Sequence, residues 1–60
     1  MTIGQRIKDE RDNLGWTRKQ LSIASGYTEQ SIYMWETDSS KPSERAIRAV
    51  EQALKTKLRK

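Results

Sequence analysis

The 60-residue chain contains no cysteine and no histidine. Those two absences remove a disulfide framework, a thiol nucleophile, a histidine base and any standard zinc site. Nor does any apolar run approach the roughly 20 residues of a membrane span. The start, "MTIGQRIKDERD", turns polar within four residues, unlike a secretory leader. A soluble, cytoplasmic protein is the expectation. A chain of this length is read as one domain, residues 1–60, burying only about 60% of the surface its unfolded form exposes. Tight helix packing, with or without an oligomer contact, must then do the stapling that cysteine and zinc cannot. Proline occurs once, at Pro42, and glycine at Gly4, Gly15 and Gly26; these residues are expected to mark the joints.

What the chain does have is positive charge. Twelve Lys+Arg against eight Asp+Glu give a net charge of +4, and a pI of about 9.8 lies in the range where a nucleic-acid partner is worth testing. With no Cys or His, the remaining acid–base groups are Asp/Glu, Lys and Tyr on short helices without an evident pocket, so an enzyme is not expected. No cofactor, metal or small-molecule ligand is called for.

Four helices follow from the pattern. Ile3, Ile7 and Leu14 share one face, Thr2 and Gln5 have capping-box spacing, and Gly15 suits a left-handed stop, giving helix 1 over residues 2–13. In "GWTRKQLSIASG", Thr17 and Gln20 repeat the capping box and Trp16 can staple onto Leu21, giving helix 2 over 17–24 with Leu21 and Ala24 inward. Gly26 permits a turn at positive φ, and Thr28 can cap a third helix over 28–36, with Tyr27 and Ile32 in staple positions. "TDSSK" reads as a loop. Beyond Pro42, Ser43 caps a fourth helix whose stripe is Ala46, Ile47, Val50, Ala53 and Leu54, extended by Leu58 into a fraying basic end, "KTKLRK". No run alternates in the strand manner. The fold class is all-α, a compact bundle of four, or five, short helices.

Residues 17–36, two short helices joined by a glycine-containing turn, fit a helix-turn-helix, whose second helix can lie in the major groove. Projecting helix 3 at about 100° per residue turns Ile32 and Trp35 inward. Gln30 and Thr37 then face outward, flanked by Tyr33 and Met34, with Glu29 near the boundary. In a chain one-third charged, a merely solvated face would carry Lys/Glu pairs, whereas Gln30 can pair with adenine N6 and N7. Glu29 can accept from the cytosine amine or simply sit at the positive end of the helix dipole. At the start of helix 2, Arg18 and Lys19 stand on free amides suited to phosphate.

The stretch "TRKQLSIASGYTEQSIYMWETDSSKP" resembles the lambda-repressor and Cro-type helix-turn-helix family, over about residues 3–54. Thr17 with Leu21, Gly26, Ser31-Ile32, Trp35-Glu36 and Pro42 carry the likeness through their joint spacing. The resemblance implies a DNA-binding transcription regulator, a phage or bacterial repressor that occupies an operator. It places base contacts on Glu29, Gln30, Tyr33 and Met34, phosphate contacts on Thr17, Arg18, Lys19, Thr28 and Lys41, and a buried ion pair on Arg11 and Glu36. Departures from the family pattern are Met34 where several relatives have glutamine, Ser43 where an arginine commonly follows the proline, and Ser22 where alanine is common. Double-stranded DNA is thus the expected partner, and a homodimer would set two copies of helix 3 about 34 Å apart. The competing reading is an antitoxin-like protein-interaction domain, which an exposed apolar stripe of Val50, Leu54 and Leu58 would favour.

Overall fold

The computed structural model describes residues 2–58. It contains α1 (Ile3–Asn13), α2 (Arg18–Ser25), α3 (Glu29–Glu36) and α4 (Glu44–Leu54), with no strand among the described residues. Each helix starts one residue after a hydroxyl side chain that stays in extended conformation and accepts the amide three residues on: Thr2, Thr17, Thr28 and Ser43. At α1 and α2 the capping box closes in both directions. The Gln5 amide donates to Thr2 Oγ1 while the Thr2 amide donates to Gln5 Oε1, and Thr17 and Gln20 repeat this.

The helix ends follow backbone chemistry as well. At α1, Trp16 N donates to the Arg11 carbonyl and Gly15 N to that of Asp12, a Schellman turn with Gly15 at φ +70°. α2 closes with Gly26 at φ +81°, its amide donating to the Ser22 carbonyl (2.9 Å). The Ser22 hydroxyl donates to the Tyr27 carbonyl, so the serine holds the α2–α3 turn from inside. α3 ends in a second Schellman turn, in which Asp38, not glycine, takes the left-handed position at φ +61°. The Thr2 hydroxyl then ties Asp38 to the start of α1 (2.9 Å).

α1 packs on α3, and α2 packs on both α3 and α4. Ile7, Leu21, Ile32, Trp35, Ala46, Ile47, Val50, Leu54 and Leu58 form the core between them, with Trp16 and Tyr27 against its edge. The Tyr27 ring meets Trp35 edge-on at 5.3 Å.

Several expectations need correcting. Gly4 is no joint: it lies buried inside α1, where its missing side chain lets the helix approach the Trp35 carbonyl. Leu14 and Ala24 do not face the core but are exposed, because Leu14 has become the helix cap and Ala24 lies beyond the strip that Leu21 buries. The stripe Val50, Leu54 and Leu58, whose exposure would have favoured the competing reading, is 0%, 5% and 6% accessible. Nor does Leu58 extend α4. The helix turns at Lys55 (φ +55°), and the Leu58 amide returns to the Glu51 carboxylate (2.8 Å), which seats the leucine in the core. The last two residues of the basic end, Arg59 and Lys60, lie outside the described residues.

Candidate nucleic-acid interface

α3 is held from below by three residues, and Glu29, Gln30 and Tyr33 are exposed above. Ile32 and Trp35 enter the core, and Glu36 closes the helix with its carboxylate 1% exposed. Burying a carboxylate is costly unless it is paired and hydrogen-bonded, and this one is. Arg11 Nε donates to Glu36 Oε2 (2.8 Å) and Nη2 to Oε1 (3.2 Å), the forked pairing a guanidinium favours. Arg11 Nη1 also donates to the Trp16 carbonyl (2.6 Å), so one side chain joins α1, the turn before α2 and the end of α3. Hydrogen bonding to Glu36 raises the Arg11 pKa, burial opposing it and the charges of Glu36 and Asp12 assisting. A raised cationic pKa contributes stability that is complete below the unfolded-state value and disappears only at more alkaline pH. For an arginine that lies beyond the working range, so the Arg11 shift imposes no pH dependence near neutrality.

Sequence reasoning missed a third member of this cluster. Arg18, the first residue of α2, directs Nε to Glu36 Oε1 (3.1 Å), and its guanidinium lies 4.9 Å from the centre of the Tyr33 ring. No local signal announces the contact, since Arg18 and Glu36 are 18 residues apart and meet only because α2 packs on α3.

Among the residues expected to read bases, Glu29, Gln30 and Tyr33 are exposed, whereas Met34 is half-buried. Gln30 makes no side-chain hydrogen bond among the described residues, so both ends of its amide remain available. Glu29 occupies the first turn of α3, where the helix dipole favours a carboxylate.

Of the residues expected to hold phosphate, Lys19 and Lys41 are exposed. Thr17 accepts at its cap and keeps its hydroxyl proton to donate, but Thr28 spends its proton on Ser31 Oγ (2.9 Å). α2 carries no acidic residue in its first turn and begins with Arg18 and Lys19. Two cations at the positive end of a helix work against the dipole, an arrangement that an anion at that end would relieve. Lys41 also lines a cavity of about 470 Å³ with Thr2, Ile3, Gly4, Trp35, Asp38, Ser40 and Pro42, so the surface is not pocketless as the pattern suggested. Its carboxylate, Asp38, already accepts from Thr2.

Two short helices joined across Gly26, the second rooted in the core with a polar face outward, are a helix-turn-helix, the unit that presents a helix to the major groove. The Helix-turn-helix family model matches residues 7–60, and the chain belongs to that family, the lambda-repressor and Cro-like helix-turn-helix proteins. It is therefore a DNA-binding domain of the kind found in transcription regulators. Comparison with curated proteins and with solved structures gives no match. No helix among the described residues is long and apolar enough to cross a membrane.

Proposed function

We propose that the protein is a sequence-specific regulator of the phage or bacterial repressor type, acting in the cytoplasm by occupying a double-stranded DNA operator. The observation that carries this reading is the division of α3: Ile32, Trp35 and Glu36 are committed to the interior, while Glu29, Gln30 and Tyr33 are presented outward. Gln30 is the principal base reader, suited to adenine, with Tyr33 beside it and Met34 offering an apolar contact at the margin. Lys19, Lys41, the Thr17 hydroxyl, the backbone rather than the hydroxyl at the Thr28 cap, and the free nitrogens of Arg18 hold phosphate, which fixes register without choosing sequence. Two copies on one operator would set their α3 helices about 34 Å apart, on successive turns of the groove. An exposed stripe of Val50, Leu54 and Leu58 would have favoured the protein-interaction alternative, and those residues are in the core.

Gln30→Ala tests the assignment. Affinity for the preferred duplex should fall by about 1–3 kcal/mol, with discrimination relaxed at a single base pair. In a salt titration, log affinity should fall with log salt at a slope of roughly −0.9 per phosphate neutralised, and that slope should be unchanged in the variant. A uniform loss on every sequence would make Gln30 a positioning residue instead.

A further inference from the structure

Arg18 is held on two sides before any DNA arrives. Its Nε is bonded to Glu36, and its face lies against Tyr33 at 4.9 Å. A guanidinium is planar and rigid, so fixing one N–H and one face fixes the whole group. Glu36 cannot drift, because both of its oxygens are already gripped by Arg11, itself bonded to the Trp16 carbonyl. A line of contacts therefore runs from the interior through Glu36 and Arg18 to Tyr33. The tyrosine is 50% exposed on α3, and without such a partner a ring there is free to change rotamer. The Nη nitrogens of Arg18 make no hydrogen bond among the described residues, so meeting a phosphate would not require releasing either anchor.

We propose that Arg18 is a positioning residue for base recognition: it holds the Tyr33 ring in one orientation and thereby sets the base preference at the step Tyr33 faces. This rests on the DNA-reading role of α3 proposed above. It differs from a phosphate contact in what it predicts. A phosphate contact weakens all sequences alike when removed, whereas a positioning residue alters the same base pair that Tyr33 alters.

The test selects bound sequences from a random duplex pool with the wild-type chain, Arg18→Ala, Arg18→Lys, Tyr33→Ala and the Arg18→Ala/Tyr33→Ala pair. Arg18→Ala and Tyr33→Ala should each reduce discrimination at one shared base pair by about 2- to 5-fold, the size of an exposed cation–π contact, and the pair should do no more than either alone. Arg18→Lys should keep the salt slope but not the preference, since an ammonium cannot donate to Glu36 and lie flat on Tyr33 together. A uniform loss with no change in preference at that base pair, additivity with Tyr33→Ala, or full rescue of the preference by lysine would overturn the inference and leave the DNA-binding reading intact. NMR of the free wild-type protein is the second arm. The Arg18 δ-methylene protons should show a ring-current shift that vanishes in Tyr33→Ala, and its absence would overturn the positioning directly. If wild-type selection enriches no sequence, the proposed DNA readout fails, and with it this use of the Arg18 contact, whatever the NMR shows.

Discussion

Replacing Glu36 with leucine is expected to cost about 3–5 kcal/mol, because it takes from the buried Arg11 guanidinium its buried, hydrogen-bonded partner and leaves only the exposed Asp12 at 3.4 Å. For a domain of 60 residues, with a total stability of roughly 3–9 kcal/mol, that is a third of the total or more. The Glu36→Leu chain should therefore unfold at a much lower urea concentration than the wild type, as read by far-UV circular dichroism. Arg11→Met should cost less, since Arg18 remains on the Glu36 carboxylate. The double variant, Arg11→Met with Glu36→Leu, should be more stable than Glu36→Leu alone, because removing both charges removes the uncompensated one. Strictly additive losses, or a Glu36→Leu cost below about 1 kcal/mol, would mean that the two side chains behave as ordinary surface charges.

Gly4→Ala reverses the sign that helix propensity alone would assign. In an exposed helix interior the change from glycine to alanine stabilises by about 1 kcal/mol. At this position the added Cβ would stand 1.7 Å from the Trp35 carbonyl oxygen, 2.7 Å from its carbon and 3.1 Å from Asp38 Oδ1. The first two are backbone atoms at the end of α3 and cannot swing aside, so α1 would have to lift away, straining the Thr2–Asp38 bond beside it. A net loss of about 2–3 kcal/mol is expected, the upper part of the usual overpacking range. In thermal melts that is a fall of about 4–8 °C for each kcal/mol in a domain of this size. A raised melting temperature would show that α1 and α3 do not approach as described.

These two sites mark where reading the sequence stops. The four caps were legible because each is a hydroxyl and an amide three residues apart, as were Gly15 and Gly26, whose positions just past helix ends call for positive φ. The inward set Ile7, Leu21, Ile32, Trp35, Ile47 and Val50 was legible from spacing and capping logic. Gly4 was misread because a glycine needed for close approach looks, in one dimension, like a glycine needed for a turn. Leu58 was misread because helical periodicity assumes the helix continues, whereas it stops at Lys55 and the Glu51 carboxylate recovers the chain. In the site, Gln30 and Glu29 could be placed from a helical projection, and Arg11 with Glu36 from the family likeness. Arg18 could not be placed on Tyr33 and Glu36, since that contact depends on the packing of two helices joined by a turn.

The central claim is that the outward face of α3 reads base sequence in duplex DNA. Its most direct test is selection of bound duplexes from a random pool by the wild-type chain, followed by affinity measurement on the recovered sequence across a salt series. The expected result is an enriched consensus whose binding weakens steeply with salt. No enrichment, together with no duplex binding at low salt, would contradict the claim.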